Sequence, residues 1–289
     1  MLNQVNQLID LPIYYINLDR STDRYEIFNE QIKKYKVPYD QVKRITAIDG
    51  KTLNSISDFP FKIYTRIKNK PGVIACTLSH INAIKDAYND NHPYVVIMED
   101  DCNFEYVIYQ QYKLSDIALT FKNEYNIIQL CTTNCSIYNN FLKSSSNYVI
   151  PGYRASCVAY IISRQGMKNV LDAISCCKNL ELMEADTTIY QLAEKSCHLA
   201  KPYFLYFNSN IITTTLNYNN FILLNNEMNK NYWDNYYSNE KNVVFENLIN
   251  KKYNPPSYFY NLYINLPNFS IYTFSNIIKF LLYLFEIKT

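Results

Sequence analysis

The chain has 289 residues, 48% of them hydrophobic and 19% charged, enough for one large globular domain with an extension or for two small domains. That excludes a disordered tail and a small disulfide scaffold. With 28 basic residues against 26 acidic ones the net charge is +2, so no overall field draws the chain to nucleic acid, and no nucleic-acid partner is expected.

Residues 1–16 carry no basic region followed by a long apolar core, the mark of a secretory leader. The eight cysteines form no Cys-x-x-Cys pair, and several lie inside apolar runs where a thiol behaves as a small hydrophobe. They read as reduced, buried and structural, and the expected location is the cytoplasm. Glycine is scarce, with four in all, so Gly50, Gly72, Gly152 and Gly166 should mark positive φ or a close backbone approach.

In chain order, residues 11–16 form a short β-rich apolar run, followed by N-cap residue types through Asp19, Ser21, Thr22 and Asp23. Tyr25, Phe28, Ile32 and Tyr35 then recur at helical spacing up to Pro38. A second extended stretch, 42–48, closes at Asp49-Gly50. Pro71-Gly72 opens a helix with Ile74, Leu78, Ile81, Ile84 and Tyr88 on one face. Residues 94–98 are an uninterrupted apolar run of the kind that fills a central parallel strand, and the run ends in Glu99-Asp100-Asp101. Further on, the pattern predicts a helix over 107–121, strands at 126–130 and 157–162, helices over 165–174 and 185–195, and a strand at 198–205. Strands alternating with helices predict an α/β domain with a mainly parallel sheet. Beyond about residue 215 the chain turns rich in Asn and Tyr, so 1–215 reads as one domain and 216–289 as a C-terminal extension. Its last apolar stretch, 271–287, contains Ser275, Asn276, Lys279 and Glu286 and falls short of a membrane span. A helix docked on the domain or on a partner is the preferred reading, beside peripheral membrane contact and self-association.

The acidic triplet is the sharpest chemical signal. Ligands collect at the carboxyl ends of strands in a parallel sheet, and in extended chain Glu99 and Asp101 project to the same side. Three adjacent acids stay ionised only when water or a cation offsets them, so a hard ion such as Mn²⁺ or Mg²⁺, completed by a diphosphate, fits as well as a solvated turn. In the first crossover, backbone N–H groups with Arg20 and Arg24 suit an anionic nucleotide or the carboxylates of Asp19 and Asp23. There is no Gly-x-Gly-x-x-Gly and no Gly-Lys-Ser/Thr loop. Ser79-His80 lines the same region from the helix opened by Pro71, without a nucleophile elbow, and His198 is expected to pack. Glu181, Glu184 and Asp186 gather at a helix start, where acids favour the dipole. Across a cleft from a metal diphosphate, Asp186 would equally serve as a general base.

Five segments, in order, resemble glycosyltransferase family 25. They are 13–24, with Asn17-Leu18-Asp19-Arg20 and Asp23-Arg24; 47–50, Ala-Ile-Asp-Gly; 72–80, with Gly72, Cys76, Ser79 and His80; 96–101, a strand with Glu-Asp-Asp; and 159–166, with Ala159-Tyr160, Ser163 and Gly166. Ser209-Asn210-Ile211 is a faint sixth match. The resemblance implies an A-type (GT-A), Rossmann-like fold, a UDP-sugar donor, Mn²⁺ and inversion at the anomeric carbon. It implies a glycan hydroxyl or a collagen-like hydroxylysine as acceptor of galactose or glucose. Carried onto this chain, Glu99 and Asp101 take the metal. Asn17, Asp19, Arg20, Arg24, Ser79, His80 and Asp100 take the donor side, and Asp186 with Glu184 the catalytic side. Two departures stand out: Ala75 replaces the family's second Gly, and Glu184-Ala185-Asp186 stands where the family has Pro-x-Asp. The rival readings are a non-catalytic sugar-nucleotide-binding or assembly module, and a nucleotidyltransferase releasing pyrophosphate.

Overall fold

Val95, Val96, Ile97 and Met98 are all fully buried, and they fix the middle of the molecule because only a strand covered on both faces can carry four consecutive apolar side chains. The computed structural model describes residues 8–53, 62–64, 67–110, 112–131, 149–153, 155–176, 181–199 and 203–206. In chain order these form β1 (Ile13–Asn17), α1 (Thr22–Lys34), β2 (Val42–Thr46), β3 (Lys62–Ile63), α2 (Pro71–Asn89), β4 (Tyr94–Glu99), β5 (Cys102–Asn103) and α3 (Leu114–Thr120). There follow β6 (Ile127–Gln129), β7 (Val149–Pro151), β8 (Ala159–Ser163), α4 (Arg164–Cys176), β9 (Glu181–Leu182), α5 (Ala185–Ala193), β10 (Ser196–Leu199) and β11 (Leu205–Tyr206).

Seven strands make one sheet in the order β2-β1-β4-β8-β6-β10-β7. Alternation along each strand feeds two cores. Ile13, Tyr15, Val96 and Met98 face α1 and α3 through Phe28, Ile32, Leu114 and Ile117. Tyr14, Ile16, Val95 and Ile97 face α2, α4 and α5 through Ile74, Ile84, Met167, Val170 and Ile189. At about 1.5–3 kcal/mol per buried large apolar side chain, these two layers supply the main drive for folding.

The sheet is mixed, not mainly parallel. β1 runs parallel to β2 and β4, and β6 parallel to β10, but β8 is antiparallel to both β4 and β6, and β7 to β10. An unbroken apolar run reports burial on both faces and carries no information about direction. β8 enters the sheet from the edge at which β4 and β6 leave it. The helix expected over 107–121 is two pieces, a 3₁₀ segment at Glu105–Tyr109 and α3, because Gln110 and Lys113 adopt extended backbone between them. The strand expected at 198–205 is likewise divided into β10 and β11, with Tyr203 and Phe204 in neither strand. Cys102, Cys131, Cys157 and Cys197 are free and buried, whereas Cys76 is partly exposed and Cys176 exposed. Cys135, Cys177, Ser209-Asn210-Ile211 and the whole extension 216–289 with its apolar stretch lie outside the described residues.

The loop after β2 is pinned to the start of α2 by a close approach of two glycines. A Cβ on Gly50 would lie 2.6 Å from the Gly72 nitrogen and 2.7 Å from its Cα, both backbone atoms that cannot swing away. Gly50→Ala should therefore cost about 1–3 kcal/mol, read as a lower midpoint in urea unfolding, while alanine at an exposed helical position such as Lys168 leaves it nearly unchanged.

Candidate functional site

The strands β1, β4 and β6 all end at one edge of the sheet, and there Glu99-Asp100-Asp101 leaves β4. Asp100 turns inward. Its amide donates to the Ile16 carbonyl at 3.1 Å, its Oδ2 accepts from Asn17 Nδ2 at 2.6 Å, and its other oxygen meets the Arg24 guanidinium from α1. All three side chains are buried, Asp100 and Asn17 at 1% exposure and Arg24 at 7%. Asn17 Nδ2 also donates to the Ser21 carbonyl, and its Oδ1 accepts two bonds from Arg44, at 2.9 and 2.7 Å. Asp100 and Asn17 are thus committed to protein partners, a positioning knot beneath the site.

Asp101 is the acid left over. Arg24 Nη1 lies 4.0 Å from its Oδ2, beyond hydrogen-bond reach, and among the described residues its buried Oδ1 has no hydrogen-bond partner. Burial, and then the neighbouring charge of Glu99, push its carboxyl up to about 7, against the pull of Arg24. A buried carboxylate oxygen with no donor, beside a second acid, is the electrostatic signature of a place for a cation, so the residues fit a divalent metal.

Glu99 points the other way, toward α2. Its Oε1 lies 3.2 Å from His80 Nε2, and the other ring nitrogen of His80 is 3.1 Å from the Tyr160 hydroxyl on β8. His80 and Tyr160 are completely buried. Cys76, one helical turn before His80, brings its thiol within 4.8 Å of both the His80 and the Glu99 ligand atoms. Burial first, then the charges of Glu99, Asp101 and Asp186, hold that thiol protonated well above its ordinary range.

Asp186 comes from the first turn of α5. Its Oδ2 accepts from the Ser156 amide at 3.1 Å and its Oδ1 from the Thr187 amide at 2.8 Å. Burial raises its proton affinity, the two amides oppose the rise, and the charges of Glu184 and Glu99 add to it. Glu184 is the residue before α5, half-buried, and its carbonyl accepts from the Thr188 amide. Ser156 is held at φ 126°, a backbone region an L side chain rarely adopts. Its carbonyl accepts from Gln129 Nε2 at 2.7 Å and from the Tyr190 hydroxyl at 3.1 Å, which locks that conformation.

The remaining expected residues lie toward the rim. Asp19 accepts from Arg44 at 2.8 Å, and Arg20 pairs with Asp49 at 2.6 Å, both Asp19 and Arg20 being exposed. Ser79 is buried and engaged with backbone, donating to the Ala75 carbonyl and accepting from the Ile48 amide at 2.9 Å, so it ties the loop after β2 to α2. His198 is fully buried in β10 with Nδ1 at 3.1 Å from the Leu199 carbonyl, as expected of a packed residue. Cys76, Tyr160 and Ser156 were not assigned to the site by residue type. Cys76 and Tyr160 do stand in the segments that resemble the family, and the four-residue spacing of Cys76 and His80 places both on one helix face.

A family model described as glycosyltransferase family 25 (LPS biosynthesis protein) matches residues 10–189. Among curated proteins, procollagen galactosyltransferase 1-A of Xenopus laevis is 26% identical over 213 residues, 68% of this chain and 34% of the relative. Procollagen galactosyltransferase 1-B of the same organism is 24% identical over 204 residues, 65% of this chain and 33% of the relative. The chain spans about a third of the length of the curated relatives it matches.

Removing the guanidinium beneath the triplet should leave two buried carboxylates uncompensated. Arg24→Met is expected to lower stability by about 3–5 kcal/mol near neutral pH, measured by urea unfolding. The deficit should shrink as pH falls below about 7, because Asp101, whose carboxyl is pushed up by burial and by Glu99, then carries a proton and no longer needs the cation.

Proposed function

The chain belongs to glycosyltransferase family 25, whose model covers more than half of it, and on that premise we propose that it is a metal-dependent, inverting hexosyltransferase with a UDP-sugar donor. In this reading residues 1–215 form the catalytic domain, on an A-type nucleotide-sugar fold, and 216–289 an extension available to the acceptor or to a second copy. The acceptor is a hydroxyl of a glycan or of a collagen-like hydroxylysine, and the sugar is galactose or glucose. The collagen-like acceptor is supported by what the two Xenopus laevis relatives are named for.

One observation carries the proposal: a buried, donorless Asp101 oxygen beside Glu99, at the carboxyl edge of the sheet where Asp186 also arrives. Asp101 and Glu99 would hold Mn²⁺ or Mg²⁺, which when bound offsets the charge that grows on the UDP leaving group. Asn17, Arg24 and Asp100 keep the triplet in register with β1 and α1, so the two outer acids need no reorganisation to meet the donor. Arg20 and Asp19, at the rim before α1, are suited to the polar groups of the nucleotide, and His80 steers the Glu99 carboxylate from α2.

Asp186 takes the proton from the acceptor hydroxyl. Two backbone amides hold its carboxylate in one orientation, and burial raises its proton affinity toward that of an effective base. Glu184 adds to the rise by like charge. Because Asp186 must be ionised to accept a proton, the rate should climb with pH along a limb lying above the ordinary carboxylate range.

The test is UDP release from a panel of UDP-sugars with Mn²⁺, with Mg²⁺ and with chelator, in the presence of glycan and collagen-peptide acceptors. Release from one donor, abolished by chelator and reduced about 10²-fold or more in Asp101→Asn, is expected. Near-wild-type turnover in that variant would sink the metal assignment. Asp186→Asn should lower kcat by about 10²–10⁴-fold with donor affinity retained, and should erase the acid limb of the pH profile.

A further inference from the structure

On the wall of the site away from Asp100, three side chains of different chemistry converge that the diphosphate reading does not use together. Cys76 and His80 sit four residues apart on α2, and Glu99 ends β4 opposite them. Their ligand atoms, the thiol sulfur, a ring nitrogen and a carboxylate oxygen, all lie within 4.8 Å of one another. The His80 Nε2 to Glu99 Oε1 separation of 3.2 Å is close to the edge of a tetrahedron around a metal bonded to N and O at about 2.0 Å. The sulfur edges of such a tetrahedron are about 3.5 Å, so the thiol has at most about an ångström to move inward.

We propose that Cys76, His80 and Glu99 form a second cation site, for a thiophilic divalent ion of the Zn²⁺ class. A thiolate, imidazole and carboxylate together favour Zn²⁺ over the hard ions that carboxylates and phosphates select. Three protein ligands leave a fourth position for water or a solute, the arrangement of an open site. A partner that orients the His80 ring is already in place. Tyr160 is fully buried with its hydroxyl 3.1 Å from His80 Nδ1, and that hydroxyl can donate to Nδ1 while Nε2–H faces Glu99, or accept from Nδ1–H once Nε2 is bound to metal. Binding forms the sulfur, nitrogen and oxygen bonds to the ion, and the thiol proton of Cys76 leaves to buffer. The proposal rests on this geometry and not on catalysis, although it shares Glu99 with the metal reading above.

The experiment titrates the full chain with Co²⁺, a coloured substitute for Zn²⁺, in the wild type, Cys76→Ser and Asp101→Asn. The expected result is a thiolate-to-cobalt charge-transfer band that saturates at a single equivalent, is absent in Cys76→Ser and persists in Asp101→Asn. In the wild type, Zn²⁺ should also slow alkylation of Cys76 by iodoacetamide at least tenfold, read by peptide mass spectrometry. This second measurement decides the matter if Cys76→Ser does not fold. No band and no protection would overturn the site. So would a band that survives Cys76→Ser, which would belong to another cysteine, or one lost in Asp101→Asn but not in Cys76→Ser. Failure of UDP release with the band intact would remove the transferase reading and leave this site standing.

Discussion

Three acids can terminate a fully buried strand here because one guanidinium lies beneath them. Arg24 reaches up from the first turns of α1 to Asp100, and Asn17 at the end of β1 takes the other oxygen of the same carboxylate. A buried ion pair of this kind gains little net stability, since desolvating both charges costs about what their attraction returns. Its value is positional. It fixes which member of the triplet is sacrificed to the fold, and leaves Glu99 beside His80 of α2 and Asp101 close enough to feel the Glu99 charge.

The neighbours of these acids are delivered by the two cores. The layer containing α2 carries Cys76 and His80, and through α5 it also delivers Asp186. The reversed direction of β8 completes the arrangement. Because β8 starts at the carboxyl edge, the residues leading into it, Ser156 to Val158, pass beside Glu99, whose amide donates to the Val158 carbonyl at 2.8 Å. A parallel β8 would have started at the far edge and carried the Ser156 amide away from Asp186.

The strands and helices most legible in the sequence were those whose pattern reports burial directly: β4 from its unbroken apolar run, α1 and α2 from helical periodicity with Pro38 and Pro71 as boundaries. The acidic triplet was legible because it interrupts β4. Strand direction was not, since Ala159–Ser163 is buried on both faces in either orientation. The break between the 3₁₀ segment and α3 was hidden because Tyr106, Val107, Leu114 and Ile117 are all buried and keep a helix-like spacing across the extended residues. Among the expected site residues, Asp101 and Asp186 are singled out by local chemistry, but the commitment of Asp100 and Ser79 to protein partners depends on contacts far apart in the chain. Cys76 stands in the family-like segment 72–80, but its approach to Glu99 is visible only once α2 and β4 are set side by side.

The backbone of Ser156 has a consequence for how this protein can be altered. Its φ of 126° is a conformation that glycine adopts freely, and it is kept by bonds from Gln129 and Tyr190. Selection for heat resistance alone would therefore be drawn to glycine at 156, which relieves the local strain. The same change would loosen the amide that orients the Asp186 carboxylate, so with Asp186 as the proposed base thermostable descendants would lose transfer rate through the backbone of its neighbour.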